Sequence, residues 1–455
     1  MDSPTANAPI ANIANTKTPA TALPERIAKQ ATQLPSMYGR VDFSITPERF
    51  TVAPGDETEL APQYAGRRPE LLANKERVAL IKAYTMHGDP VADAYAALIP
   101  QYGFQRLTAM LQEACDHGLE SMPAAPPELV RFIGAMEQFP AWLDATLIEQ
   151  GARIERNAYA HSAPFIIRGG LIATFMNKYA ALPMVLTGGM SKGSAAHRVN
   201  ETAVFFTETV MPDVLDRHGA AFKAAAMVRL MHSMVRFNIL SRGDRWDVKT
   251  YGIPIPQVDQ MPAGLMSIFV IAQKALGQGR TAFTPAERAR AELARYRCFL
   301  LGLPKELLAD TPASIVDILL TRHATLRKGF DDNCAALVHA MLTADLTSDH
   351  SLAGRVHTWL ERGFSKVYFV TNLIRGGKSA AAKVGIQVGF ADTIAAAAAG
   401  VLIASTTAVY AIAACIPMIS DAADRSLVRK LTKQLKRYGH AEFTTNAATY
   451  RPAHT

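Results

Sequence analysis

Apolar residues recur along most of the chain at the three-to-four-residue spacing of helices, and few windows alternate with the period of two that a strand requires. Val78, Leu80, Ile81 and Tyr84 mark a first helical face. Gly88-Asp89-Pro90 then reads as a break and a new start, because proline suits the first turn of a helix. Further helical patterns run from Phe104 to Ala114, from Glu128 to Gln138 and from about Asp144 to Arg156. Residues 162–187 read as one long apolar helix stopped by Thr187-Gly188-Gly189, and Thr284-Pro285 with Glu287 reads as another start. The expected fold is therefore all-α, a multi-helix bundle. Residues 1–35, rich in Ala, Pro, Thr and Asn without period, are expected to form a disordered tail, and 36–75 an irregular lead-in. Residues 76–330 form the expected helical domain and 331–455 a C-terminal helical extension.

One segment interrupts this pattern with charge. From Ala224 to Leu240 almost every position is apolar, and neither Gly nor Pro occurs, so a buried helix is expected. Arg229, His232 and Arg236 lie three and four residues apart and share one face of it. Buried guanidiniums need partners, which carboxylates of neighbouring helices, an anionic ligand or a metal site would supply. An iron porphyrin fits the triplet: neutral imidazole ligates haem iron, and arginines pair with carboxylates such as the propionates. The plainer alternative is two arginines bonded to protein carboxylates around a core histidine. A second stripe, Arg198, Glu201, Thr202 and Phe205, also shares a face, and on its own it reads as an exposed ion pair.

Composition narrows the picture. Hydrophobic residues make up 49% and charged residues 19% of the 455, with a net charge of +8 carried by scattered Lys and Arg. That favours an anionic ligand or membrane surface, and no nucleic-acid motif is present. Cys115, Cys298, Cys334 and Cys415 are far apart, which argues against zinc clusters and a disulfide framework. Without a CxxCH motif, any haem would be held non-covalently. Gly277-x-Gly279 and the glycines near Lys192 follow no strand and are not phosphate loops. The N-terminus has no basic stretch leading into an apolar run, so it is not read as a secretory signal. Between Asp392 and Asp421 lie 28 uncharged residues followed by basic ones. Within this region, 389–420 reads either as a membrane segment or as a buried hairpin of small-residue helices, giving a cytoplasmic or membrane-associated protein.

Six segments, taken in order, resemble the rubber oxygenase and MpaB-like oxygenase family: Gly88 to Asp93, Phe139 to Asp144, Arg198 to Thr202, Val228 to Arg236, Gly252 to Gln260, and Tyr296 to Gly302. The resemblance implies a globin-like helical bundle around a haem pocket, non-covalent haem b, dioxygen and a hydrophobic, isoprenoid or alkene substrate. It implies His232 as the proximal iron ligand, Arg229 and Arg236 as its flanking cofactor-binding arginines, and Arg198 and Thr202 as distal catalytic residues. Glu201 departs from the pattern, since the rubber-cleaving enzymes carry lysine there; it could act as a base near dioxygen or pair with Arg198. Two other classes stay open: a haem- or lipid-binding membrane protein without turnover, and a cofactor-free helical interaction protein.

Overall fold

The first helix lies where no regular structure is expected. In the computed structural model, which describes residues 22–188, 192–243, 246–347, 349–374 and 377–438, Ala22–Gln33 forms α1. Leu23, Ile27 and Gln30 repeat at helical spacing and are buried, so tertiary packing stabilises a segment whose composition alone suggested a tail. Residues 1–21 of the expected tail lie outside the described residues. Asn74 then caps α2 (Lys75–Tyr84), and Asp89 caps α3 (Pro90–Ala96) by accepting from the Val91 and Ala92 amides. Next come α4 (Phe104–His117), α5 (Pro127–Glu137) and α6 (Ala145–His161), the last capped by Asp144.

The long apolar stretch 162–187 is two helices, α7 (Ala163–Thr174) and α8 (Lys178–Leu186). Asn177 makes the break. Its side chain caps the Tyr179 amide and donates to Glu59 and to the Arg327 carbonyl, while Lys178 N donates to Gly329 O. After α9 (Lys192–Glu208) and α10 (Ala220–Arg242), ended by Gly243 in the left-handed region, the chain forms α11 (Gln257–Gly277). Capping boxes at Thr284 and Thr311 start α12 (Pro285–Leu300) and α13 (Pro312–Thr325). Beyond them lie α14 (Asp332–Thr343), α15 (Leu352–Tyr368), α16 (Phe390–Ala414) and α17 (Pro417–Tyr438). The fold is all-α; among the described residues the only extended pairings are two isolated bridges, Phe50 with Leu326 and Thr58 with Arg327.

Helix α10 is central. It packs against α3, α4, α9 and α12, and its buried Ala224, Ala225, Leu230, Met234 and Ile239 belong to the larger of two core clusters. The smaller cluster joins α7, α8 and α9 to α14 and the segment after α15, through Ile172, Val199, Leu337, Met341 and Phe369. Helix α9 contributes Val199 to one cluster and Phe205 to the other. Residues on the two sides of position 330 therefore share a core.

The C-terminal pair departs from one of its two sequence expectations, the buried hairpin. Pro417, which lacks an amide proton, separates α16 from α17, and the two pack against each other. Helix α16 lies along α15 with Gly363 facing Ala395, but only Ala395 and Ala399 of α16 are buried. Val401 is 72% exposed, and Phe390, Val409 and Ile412 are exposed as well. A buried hairpin is therefore not what forms. By length and composition α16 is able to cross a membrane.

Candidate active site

The two arginines of the α10 stripe are both paired with the start of α3. Arg229 makes a two-pronged contact with Asp89, Nε to Oδ2 and Nη2 to Oδ1, and its guanidinium lies 5.3 Å from the Phe132 ring centroid. Burial works against ionised Asp89, but the Arg229 charge and hydrogen bonds outweigh it and hold the carboxyl below its ordinary range. Asp89 thus caps α3 and anchors α10 at once. Gly302, at φ +79°, keeps this contact open: a Cβ there would lie 2.6 Å from Arg229 Nε.

Arg236 is fully enclosed. Nε and Nη2 donate to Asp93, Nη1 donates to the Pro254 and Ile255 carbonyls at 3.1 and 2.7 Å, and Nη2 also reaches Ser233 Oγ. All five N–H groups are used, so Arg236 has none left for a ligand carboxylate. Its expected role as a propionate partner is corrected to that of a clamp on α3 and on the turn before α11. The turn needs one: Ile255 has φ +48°, unusual for a β-branched residue. Tyr38, its hydroxyl pKa pushed well up by burial, stays neutral and donates to Asp93 at 2.5 Å. Helix α3 thus carries the carboxylates for both arginines, four residues apart on one face. For Arg229, as for Arg236, the plainer alternative of protein carboxylates is what forms.

His232, between them, has no carboxylate partner in contact. Its Nδ1 lies 3.3 Å from Gln260 Oε1, and Nε2 has no hydrogen-bond partner among the described residues. Burial first, and then the charges of Arg236 and Arg198, bring its pKa down to about 4, so the ring is neutral at pH 7.

The second stripe meets α10 through Arg198 and packs Phe205 into the same core. Arg198 Nη1 rests on the Met231 sulphur, next to His232 in sequence, and its charge is felt at that ring. Glu201 is buried rather than exposed, with Oε2 3.4 Å from Arg198 Nη1 and Oε1 2.9 Å from His197 Nε2. Glu201 is thus paired with Arg198. Thr202 donates its hydroxyl proton to the Arg198 carbonyl at 2.8 Å, leaving oxygen lone pairs as its free capacity. The structure therefore sets Arg198 against Met231, the residue before His232, pairs Glu201 with Arg198, and puts Thr202 one turn further along α9.

Of the residues the sequence proposed for a metal, His232 is the one imidazole on α10. Among the described residues no three His, Cys, Asp or Glu side chains gather into a metal-binding group, whereas His232 offers a single neutral imidazole. Two cavities, of about 380 and 200 Å³, lie elsewhere: one between α6, residues 211–214 and Asp424, the other beside Val370 and Ile386. In this conformation α9 and α10 touch through Arg198 and Met231. Asp89, Asp93, Gln257 and Gln260 received no individual role from the sequence, although they stand in the segments that carry the resemblance.

The all-α core is organised on α10, which carries His232, and comparison with known proteins places the chain. Residues 158–405 match the family described as ER-bound oxygenase mpaB/B'/rubber oxygenase, catalytic domain. The chain belongs to that family, and the match runs across position 330 without a break. Among solved structures, latex clearing protein LCP in the closed state is similar in fold, with a TM-score of 0.54 and 19% identity over 78% of this chain and 91% of that one. No curated protein sequence matches.

Proposed function

We propose that this chain is a b-type-haem oxygenase that uses dioxygen on a hydrophobic alkene, most simply an isoprenoid. The observation that carries the reading is His232, a neutral imidazole on the central helix with its Nδ1 against Gln260 and its Nε2 without a protein partner among the described residues. Haem would supply the redox-active iron at which dioxygen is activated. His232 would ligate that iron through Nε2. Arg229 and Arg236 serve the site at one remove, by locking α10 to α3 so that His232 cannot shift along its helix axis.

Arg198 rests on Met231, next to His232, and its charge is felt at that ring; Glu201 holds it in place. We assign Arg198 and Thr202 to the oxygen-facing side, Arg198 as the hydrogen-bond donor to dioxygen and Thr202 one turn along the same helix, with Glu201 as a positioning residue for Arg198.

The test is product analysis. Protein purified from haem-replete cells is expected to carry about one haem per chain and to convert a polyisoprenoid in the presence of dioxygen into carbonyl-ended fragments. Haem without such products would favour a haem carrier, and folded, colourless protein that takes up no added haemin would overturn the reading.

A second reading concerns location. The exposed apolar face of α16, followed by the basic Lys430, Lys433, Lys436 and Arg437 of α17, supports attachment to a lipid surface.

A further inference from the structure

We propose that Gln257 and Gln260 form a directional hydrogen-bond relay that sets the tautomer of His232, holding its proton on Nδ1 and keeping Nε2 open for a ligand. The inference rests on the haem reading for its purpose, though not for its geometry.

The relay starts from a group that has only one role. A backbone carbonyl can accept and cannot donate, and Gly88 O is approached at 2.8 Å by the Gln257 amide and at 2.7 Å by His87 Nδ1. Gln257 must therefore present its NH2 to Gly88, because the flipped amide would set oxygen against oxygen in a place without solvent. Its Oε1 then points the other way, to Gln260 at 3.3 Å, and Gln260 must answer with its own NH2. That choice turns Gln260 Oε1 toward His232 Nδ1, also at 3.3 Å. An oxygen acceptor there requires Nδ1 to carry the proton, and a neutral ring with Nδ1–H has its lone pair on Nε2. Each amide orientation follows from the one before it, so the assignment does not depend on telling amide nitrogen from oxygen.

Several features keep the chain of bonds from reversing. Gln257 and Gln260 are both buried, so water does not compete. Gly88 is fixed on both sides: its N–H donates to Gln30 Oε1, and a Cβ on it would collide with the Tyr38 hydroxyl and Asp93. The Gln257 backbone amide donates to His87 O, and Arg236 holds the Pro254 and Ile255 carbonyls just upstream. The Gly88–Asp93 and Gly252–Gln260 segments, which bear no iron ligand in this reading, thereby act on the one residue that does.

The experiment uses the full-length haem-free protein with 15N-labelled histidine rings at pH 8, the His232 signals being identified by their loss in His232→Gln. The expected result is one tautomer, with Nδ1 protonated and Nε2 bare. In Gln257→Met, which removes the anchor, Gln260 is free to turn its NH2 toward Nδ1. A mixed or reversed tautomer should appear, with haemin affinity falling 10–100-fold. Adding Gln260→Glu to that variant supplies an acceptor whatever its orientation and should restore both the tautomer and most of the affinity. A wild-type ring protonated at Nε2 would overturn the relay, as would an unchanged tautomer in folded Gln257→Met or a double variant that fails to recover. Should Gln257→Met not fold, the wild-type spectrum still decides. If the tautomers behave as described but wild-type protein takes up no haemin, the haem reading fails and the relay stands.

Discussion

Helices α10 and α16 invert what their compositions suggest. Helix α10 carries Arg229, His232 and Arg236 yet is almost wholly buried, whereas α16 has no charged residue after Asp392 and is almost wholly exposed. The difference is one of partners. Around α10, helix α3 supplies a carboxylate for each arginine and the turn before α11 supplies carbonyls, so the polar groups are satisfied and the apolar remainder can pack. Against α16 the body of the protein offers a strip along α15 narrow enough for small residues, and polar and ring contacts from α6 and α17 to Thr407 and Tyr410, none of which covers its large apolar side chains. Burial in this fold follows complementarity more closely than hydrophobicity.

The comparison breaks most sharply at Asp93. Asp93→Ala would leave Arg236 charged, enclosed and unpaired, and the expected cost is about 3–5 kcal/mol, read as a large fall in the denaturant midpoint. Asp93→Leu combined with Arg236→Met should cost clearly less than either single change; equal or greater loss would mean that the pair is not an isolated clamp.

A smaller effect is expected where α16 does touch the body. A Cβ on Gly363 would overlap Ala395, so Gly363→Val should cost about 1–3 kcal/mol by prying α15 from α16. Thermal unfolding unaffected by that change would mean that the α15–α16 contact carries no stability.

Burial also leaves a pH signature. His87 is buried and its pKa is brought down to about 4, chiefly by desolvation. The unfolded chain takes up this proton near pH 6.5 and the folded one only near 4, so stability should fall as pH drops through that window and level off below it. The loss is on the order of 1–3 kcal/mol. In His87→Phe this part of the slope should disappear, and an identical pH dependence in both proteins would count against the assignment.

The smallest effect on folding is expected on the exposed face of α16. Val401→Ser, Val409→Ser and Ile412→Ser should each change stability by no more than about 0.5 kcal/mol. Together they should lower cosedimentation with anionic vesicles several-fold. Unchanged vesicle binding would remove α16 as the lipid contact.

How far these features were legible in the sequence depended on how local their causes are. The helical class, the starts at Pro90, Thr284 and Asp144, and the α10 stripe all follow from residues within a turn or two of one another. Asp89 and Asp93 sit in a segment singled out in advance, but their partners lie about 140 positions away, and nothing in the spacing pairs them. The split at Asn177 escaped for the same reason, because Glu59, Arg327 and Gly329 hold it open. The helix at 22–33 is stable only through the core it meets. For α16, an apolar run reads the same whether protein, lipid or solvent covers it. Arg198 and His232 could each be proposed from their own helix faces, but their meeting at Met231 required the packing of α9 on α10.

The central claim is that His232 holds the haem and that the arginines beside it hold the fold. It is tested most directly by the haem-to-protein ratio of His232→Ala, measured by Soret absorption alongside far-ultraviolet circular dichroism. A wild-type ratio near one, a ratio near zero in the variant, and the same helical signal in both are expected. Full haem occupancy with an unchanged spectrum in His232→Ala would contradict it.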